Sequence, residues 1–360
     1  MKIYIYFFFT LSFLTLYVFF YFLNKFYLQI KNLKNKKSKT KYENKCKILD
    51  YFSEIVVKEV KRNYEFYKNL PPEKYEEELK IWYKKAKGRE LDLNNPKTFN
   101  EKIQWLKLYD STPKKTLLAD KYLVKNFIKD TIGKKYVIPL LKVWDSYNEI
   151  NFDSLPNKFI LKANHGSGMN IIINDKSKYN LDSIKKIAKK WMNINYAFTN
   201  GFELHYMNIK PKIIAEMFYD NKNGDLFDYK IYCFNGRVES IAFLSGKEKF
   251  RRIAFYDTNW NRLNYTDTYP PFEYEIPKPK KLKEMVEISQ KLSKGFAFVR
   301  VDLYVLNNEN IKFGEMTFAP DSGKLNFNPD EQNRIFGDMI KLPKKSPIPK
   351  KIKYTKFISI

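Results

Sequence analysis

The sequence holds two carboxylates that a β-hairpin would bring face to face. Two β-rich runs, 298–306 and 311–318, flank a short polar turn, which predicts an antiparallel hairpin. A turn centred between positions 308 and 309 opposes Asp302 to Glu315 and Arg300 to Thr317. Directly opposed side chains have Cβ atoms about 4.5–5.5 Å apart, and alternation along each strand puts all four on one face.

Two carboxylates at that spacing repel each other unless a cation lies between them. Mg²⁺ suits such a pair, because it prefers oxygen ligands and leaves room for phosphate oxygens. Arg300 beside Asp302 and Glu315 could hold a phosphate or a substrate carboxylate through two hydrogen bonds. The alternative is an ordinary ion pair between Arg300 and its acidic neighbours, with no metal.

A second stretch resembles a phosphate-binding loop. The run 158–163 predicts a strand that carries Lys162 and leads into Gly166, Ser167 and Gly168. Backbone N–H groups of such a loop can bind phosphate oxygens, and Lys162 could add a positive charge. The loop is not a Walker A motif, and the chain contains no G-x-G-x-x-G. An ordinary connecting loop therefore remains the alternative.

A third stretch contains a strand that ends near Glu216, Met217 and Phe218, where backbone groups could contact a nucleotide base. On the strand that follows, Asp228 and Lys230 lie two residues apart and share a face. The alternative for both segments is a pair of amphipathic strands without a ligand.

The elements that position these residues alternate irregularly between strands and helices, which predicts an α+β fold with two lobes. A helix is expected to begin near Asn100 as its N-cap, and a second to run over 118–128. Two more are predicted at 181–192 and 281–292. Strands are predicted at 137–144, 158–163, 170–174, 212–218, 227–234, 238–244, 253–256, 298–306 and 311–318.

Composition excludes several classes of protein. The 360 residues are 44% hydrophobic and 17% aromatic, which excludes a disordered chain, and two cysteines exclude a disulfide scaffold. Two histidines do not support a zinc site or a Ser-His-Asp triad. The net charge of +26 comes from 58 lysines and only 8 arginines, so nucleic-acid binding is not expected. Fifteen of these charges lie in the two terminal segments, 1–41 and 341–360.

The N-terminal segment predicts a membrane anchor. Residues 3–23 carry no charge, and 21 helical residues span a hydrocarbon core of about 30 Å. A cleaved signal peptide would have a shorter apolar run and a small-residue cleavage site. One lysine precedes the span and seven follow it within 18 residues, which predicts a single-pass protein with its body in the cytoplasm.

Taken in order, these motifs resemble the ATP-grasp superfamily, and the wider chain resembles its TupA-like branch in cell-surface polysaccharide biosynthesis. The resemblance covers about residues 94–343. Its motifs are NPKTFNEKIQWL at 95–106, LADKY at 118–122, DSLPNKF at 153–159, DYK at 228–230, FYDT at 255–258 and FVRVDLY at 298–304.

The resemblance implies roles for individual residues. Lys121 and Lys162 would contact the phosphates of ATP, and the loop from Gly166 to Gly168 would close over them. Glu216, Met217 and Phe218 would meet the adenine, Asp228 the ribose, and Lys230 a phosphate. Asp302 and Glu315 would hold magnesium. The family's third metal ligand is an asparagine, and Thr317 stands at that position, so Thr317 is expected at the metal or at a metal-bound water.

The implied activity is ligation of a carboxylate to an amine through an acyl phosphate, with Arg300 and Lys162 as catalytic groups and ATP and Mg²⁺ as cofactors. The substrate would be an acidic polymer or an amino acid of the cell envelope. A glycosyltransferase of the same process remains an alternative, although the chain contains no D-x-D motif. A non-enzymatic membrane protein is the third possible function.

The predicted segments are an anchor at 1–24, a basic and helical linker at 25–93, the ATP-grasp domain at 94–343 and a basic tail at 344–360.

Overall fold

A computed structural model describes residues 59, 61–219, 227–245, 251–306 and 309–352. The predicted anchor at 3–23 and most of the predicted linker lie outside these residues, as does the end of the basic tail. Within the described part, every helix is too short or too polar to cross a membrane. The anchor therefore stays a prediction.

The described chain begins with helices. A helical segment over 61–69 precedes α1 (Tyr75–Lys87), and α2 follows (Phe99–Tyr109). The predicted N-cap of α2 is wrong: Thr98 caps the helix, its hydroxyl accepting from the N–H of Glu101 while the Glu101 carboxylate accepts from the N–H of Thr98. Asn100 is buried instead and donates to the carbonyl of Leu325.

The predicted helix over 118–128 is two helices, α3 (Pro113–Ala119) and α4 (Val124–Thr131). Asp120 separates them, because its carboxylate accepts hydrogen bonds from the N–H groups of Tyr122 and Leu123. Such a side-chain bond to the backbone competes with continued helix. The break places Lys121 in a turn, where its side chain is not confined to a helix face.

The smaller lobe is a four-stranded antiparallel sheet. Its strands are β1 (Leu140–Trp144), β2 (Phe159–Ala163), β3 (Asn170–Ile173) and β4 (Ile213–Met217), in the order β1-β4-β2-β3. Helix α5 (Leu181–Met192) shares a hydrophobic core with this sheet through Ile184 and Ala188.

The larger lobe is a six-stranded antiparallel sheet in the order β10-β9-β5-β6-β7-β8. Its strands are β5 (Phe227–Phe234), β6 (Arg237–Ser245), β7 (Arg252–Tyr256), β8 (Arg262–Leu263), β9 (Phe298–Leu306) and β10 (Asn310–Thr317). Helices α6 (Leu282–Ser293) and α7 (Glu331–Met339) complete the lobe.

One face of the larger sheet is closed and the other carries polar side chains. Helix α6 packs against β5, β6 and β9. Cys233, on β5, lies with its Sγ 4.0 Å from the carbonyl oxygen of Ser289 on α6, so the odd-numbered residues of β5 face that helix. The even-numbered residues, including Lys230, therefore face the opposite side.

The predicted α+β architecture in two lobes agrees with these elements, since each sheet has its own hydrophobic core. Each of the nine predicted strands is present within about three residues at either end. The two-residue strand β8 was not predicted, because so short a run has no period.

Candidate active site

The polar face of the larger sheet presents the predicted site residues in three rows that run across the strands. The first row joins Asp228 to Tyr304, the second joins Lys230, Asp302 and Glu315, and the third joins Ser240, Tyr232, Arg300 and Thr317. Antiparallel pairing fixes these rows, because directly opposed residues share a face.

The predicted opposition of Asp302 to Glu315, and of Arg300 to Thr317, is confirmed. The predicted turn is wrong by half a residue. Near the turn, Asn310 pairs with Leu306, which centres the hairpin on residue 308, and the register moves by one between Phe313 and Glu315. Gly314 is the extra residue of this β-bulge, and it restores the pairing at the carboxylates.

Close packing explains glycine at this bulge. A Cβ atom on Gly314 would lie 3.0 Å from the carbonyl oxygen of Asp302 and 3.0 Å from the ring of Tyr304. Both contacts are tighter than ordinary van der Waals contact. A side chain at this position would therefore push on the strand that carries Asp302.

Arg300 binds Asp302 through one edge of its guanidinium, with two hydrogen bonds. Its Nε lies 2.6 Å from Oδ1 of Asp302 and its Nη2 lies 2.6 Å from Oδ2, while Nη2 also donates to Thr317 Oγ1 at 3.2 Å. Lys230 approaches the same carboxylate at 3.1 Å. The Asp302 side chain is only 4% exposed, so two cations neutralise it in a nearly closed site.

Lys121 links Glu315 to the predicted phosphate loop. Its ammonium nitrogen lies 3.0 Å from Oε2 of Glu315 and 3.0 Å from the carbonyl oxygen of Gly166. The Lys121 charge lowers the pKa of Glu315 far below its usual range, with help from Arg300 and against the opposing effect of burial. Glu315 is therefore ionised across the neutral pH range.

The loop after β2 is tightly held at one end and open at the other. A Cβ on Gly166 would lie 2.5 Å from the ring of Tyr196, which excludes a side chain there. Gly168 has φ +72°, a left-handed conformation that favours glycine. Ser167 and Gly168 are exposed, so this end of the loop is accessible to a ligand.

Two lysines form ion pairs with Glu216, and only one of these lysines was predicted as a site residue. Lys162 lies 2.6 Å from Oε2 and Lys125 lies 2.5 Å from Oε1 of this buried carboxylate. Although burial alone would raise it, the two ammonium groups hold the pKa of Glu216 below its ordinary value. Lys125 was missed, although on the predicted helix over 118–128 it lies four residues after Lys121 and would share its face.

Met217 ends β4 and Phe218 follows it; of the predicted adenine contacts, Glu216 alone lines the pocket between the two sheets. Met217 is exposed, and its N–H donates to the carbonyl oxygen of Pro139 at 3.0 Å. The pocket is narrow and open to solvent on one side. Its walls come from α4, both sheets and the segment before β1, and comprise Lys121, Val124, Lys125, Ile128, Val137, Ile138, Lys162, Glu216, Phe313 and Gly314.

Asp228 lies in the first row, and one of its two carboxylate oxygens has no hydrogen-bond partner among the described residues. Its Oδ2 pairs with Lys230 at 2.7 Å, whereas the other oxygen, Oδ1, is buried. Burial raises the pKa of Asp228 and the Lys230 charge opposes that rise. A ligand hydroxyl would satisfy this acceptor.

The predicted residues therefore meet in one cleft between the lobes, where five cations (Lys121, Lys125, Lys162, Lys230 and Arg300) interleave with four carboxylates (Glu216, Asp228, Asp302 and Glu315). The described residues bring together no group of three or more histidine, cysteine, aspartate or glutamate side chains able to hold a metal. The metal-ligand assignment of Asp302, Glu315 and Thr317 stays a prediction, as do the roles of the other site residues.

Solved structures similar to this chain include three ATP-dependent enzymes. D-alanine–D-alanine ligase from Bacillus anthracis with ATP shows 16% identity and a TM-score of 0.36, covering 56% of this chain and 55% of that one. ATP-grasp ligase PsnB with minimal precursor, Mg and ADP shows 12% identity and a TM-score of 0.34, covering 58% of this chain and 53% of that one. The N5-carboxyaminoimidazole ribonucleotide synthetase purK with ADP shows 10% identity and a TM-score of 0.36, covering 56% of this chain and 45% of that one.

The match spans about half the length of these solved structures, and TM-scores this low carry no argument about function. No protein with a curated description matches the chain. The family model described as "TupA-like ATPgrasp" matches residues 101–341, two thirds of the chain. This match falls within the predicted domain at 94–343, whose boundaries stay predictions. It confirms the predicted family and, with it, an ATP-grasp enzyme. The chain belongs to the TupA-like ATP-grasp family.

Proposed function

We propose that the protein is a membrane-anchored, ATP- and Mg²⁺-dependent ligase that joins a carboxylate to an amine during synthesis of a cell-surface polysaccharide or peptidic polymer. The observation that carries this proposal is the cross-strand pair of Asp302 and Glu315, set among Lys121, Lys162 and Arg300 in one cleft. Membership of the ATP-grasp family supports the use of ATP.

The residues present fit Mg²⁺ and ATP. Asp302 and Glu315 would hold the metal through hard oxygen ligands, and Thr317 lies within reach because its hydroxyl contacts Glu315 Oε1 at 3.0 Å. Lys121 and Lys162 would hold phosphates, and the free Oδ1 of Asp228 suits a ribose hydroxyl. Bound Mg²⁺ would neutralise negative charge on the phosphate oxygens during transfer.

The chain's own groups would supply positioning and charge. Arg300 directs two parallel N–H donors at Asp302, and when the metal takes Asp302 the same pair would suit a carboxylate or a phosphate. Lys162, on β2, approaches from the smaller lobe, so closure of the cleft would exclude water from the acyl phosphate. The substrate carboxylate would attack the γ-phosphate, and an amine would then displace phosphate from the acyl carbon.

The cellular setting is the part of the proposal that rests on sequence. The uncharged run at 3–23 and the seven lysines that follow it support a single-pass anchor with a cytoplasmic body. The resemblance of the motifs at 95–106 and 298–304 to the TupA-like branch in cell-surface polysaccharide biosynthesis supports an acidic polymer or an amino acid as the substrate.

A thermal-shift screen of the full chain in detergent tests the nucleotide first. We expect ATP with Mg²⁺ to raise the melting temperature, since a ligand at 100 times its Kd stabilises by about 2.7 kcal/mol. Phosphate release from ATP with an acidic acceptor plus an amine then tests ligation. A shift with UDP-sugars and none with ATP would support the glycosyltransferase instead, and no shift with any nucleotide would support a non-enzymatic protein.

A further inference from the structure

The segment after β8 fixes one more carboxylate on the polar face of the larger sheet. Thr266 and Asn328 exchange two backbone hydrogen bonds, each 2.9 Å long. One residue earlier, the Tyr265 hydroxyl lies 2.6 Å from the hydroxyl of Ser240, a member of the third row. These contacts fix the backbone immediately before Asp267 and bring this segment to the third row.

Two charge interactions locate Asp267 at the third row. Arg300 counteracts burial in setting the pKa of Asp267, so the two side chains lie within electrostatic reach of each other. Burial, followed by the Asp267 charge, raises the pKa of Tyr232, the direct cross-strand partner of Arg300. Asp228 lies two rows away, at the opposite end of the site.

This order gives the site a direction. The first row holds Asp228, the proposed ribose contact, and the second row holds Asp302 and Glu315, the proposed metal ligands. The transferring phosphate would therefore point toward Arg300 in the third row. A nucleophile that attacks the acyl carbon would approach at that end of the site, where Asp267 lies.

Asp267 has an acceptor oxygen with nothing to accept. Its Oδ1 is buried and has no hydrogen-bond partner within the described part of the chain. Burial raises the pKa of Asp267 to about 6 and Asp321 acts in the same direction, while Arg300, the N–H of Tyr269 and Lys230 act against it. The aromatic hydroxyls nearby are those of Tyr232 and Tyr265. An enclosed carboxylate oxygen without a donor is costly, and a bound cationic donor would remove that cost.

We propose that Asp267 is the group that binds the protonated primary amine of the second substrate and takes its proton before attack. The inference rests on the proposed ligase function and names a residue and a substrate class for its second half. Arg300 would hold the acyl phosphate and Asp267 the amine, so their proximity would bring nitrogen and acyl carbon together.

The step balances in atoms and charge. The ammonium group gives one proton to the Asp267 carboxylate, and the freed nitrogen lone pair forms the C–N bond. The bond from the acyl carbon to the phosphate oxygen breaks, and its electron pair leaves with phosphate. A second proton passes from nitrogen to the departing phosphate, which leaves an amide and inorganic phosphate. Asp267 then returns its proton to water.

Hydroxylamine separates the two halves of the reaction, because at pH 7 it is a neutral nucleophile that needs no base. The full chain in detergent is given ATP, Mg²⁺ and a panel of carboxylates, with hydroxylamine, glycine amide or glucosamine as nucleophile. For Asp267→Asn we expect hydroxamate within about twofold of wild type and amide formation lower by on the order of 100-fold. Asp338→Asn, on the exposed side of α7, is the matched control and should leave both products unchanged.

Two results would overturn the inference: amide formed by Asp267→Asn at the wild-type rate, or hydroxamate and amide lost together. Absence of hydroxamate from wild type with every carboxylate would refute the ligase function instead. In that case the same amines are tested by thermal shift. A stabilisation of wild type that Asp267→Asn lacks supports an amine site, and equal shifts of the two proteins refute it.

Discussion

Asp302 lies directly opposite Glu315 on neighbouring antiparallel strands, and the bulge at Gly314 sets that pairing. If Gly314 paired regularly and formed no bulge, the register of the turn would oppose it to Asp302 and turn Glu315 to the other face of the sheet. One glycine thus decides whether two carboxylates share a face. The proposed metal site therefore depends on backbone geometry as much as on its ligands.

Glu315→Gln should lower Mg²⁺-dependent phosphate release by on the order of 100-fold or more, because it removes a proposed ligand. Asp302→Asn should have the same effect and should also destabilise the fold, since it leaves Arg300 and Lys230 without their carboxylate. Phosphate release and urea unfolding measure the two effects, with Asp338→Asn as control. Wild-type turnover in both variants would refute the metal assignment.

Gly314→Ala should disturb the bulge, because the added Cβ would lie 3.0 Å from the Asp302 carbonyl oxygen. We expect a loss of about 1–3 kcal/mol in the free energy of unfolding and weaker Mg²⁺ binding. Gly314→Val should lower both the free energy of unfolding and the Mg²⁺ affinity further than Gly314→Ala does. The measurements are urea unfolding and a Mg²⁺ titration of the ATP-induced melting shift. If both substitutions left the titration unchanged, the bulge would have no part in the metal site.

Lys125 and Lys162 should show strong coupling, because they neutralise the same buried carboxylate. Either Lys125→Met or Lys162→Met alone leaves Glu216 one cation, whereas the double variant leaves it without either. We expect the double variant to lose about 0.5–3 kcal/mol more than the sum of the single losses. Urea unfolding of the four proteins completes the cycle, and additive losses would contradict the shared contact.

Acid should destabilise the protein through His165, which precedes the glycine loop. Burial lowers the pKa of His165 to about 4, whereas the unfolded chain titrates near 6.5. Between these values the unfolded state binds more protons, so stability falls as pH falls. From pH 7 to pH 5 the contribution lost is about 2 kcal/mol.

His165→Gln cannot titrate and should lose less stability over this interval than wild type does. Urea unfolding at pH 7 and pH 5 compares the two proteins, and Asp338→Asn should behave like wild type. An equal pH dependence in wild type and His165→Gln would mean that His165 is not the group that responds.

The pairing of side chains across the hairpin of β9 and β10 was predictable from the sequence. Alternation and turn composition sufficed to oppose Asp302 to Glu315, although the turn lies half a residue away from its predicted centre. The two differences cancel at the carboxylates because Gly314 adds one residue. A glycine inside a strand is a recognised signal for a bulge, and it was present in the sequence.

Long-range contacts explain what the sequence did not indicate. Asp267 reaches the site through the pairing of Thr266 with Asn328, which are 62 positions apart, and no local pattern predicts such a bridge. Lys125 joins the site through its ion pair with Glu216, which is 91 positions away. The chemistry of the main site was local and predictable, whereas the residues that surround it come from tertiary structure.

The interleaving of charges in the cleft has a consequence for ionic strength. Each site lysine and Arg300 already has a carboxylate partner, so an incoming polyanion exchanges partners with the protein and adds little net neutralisation. Added salt weakens the old contacts and the new ones alike. Nucleotide affinity should therefore change little with salt concentration, even in a chain of net charge +26.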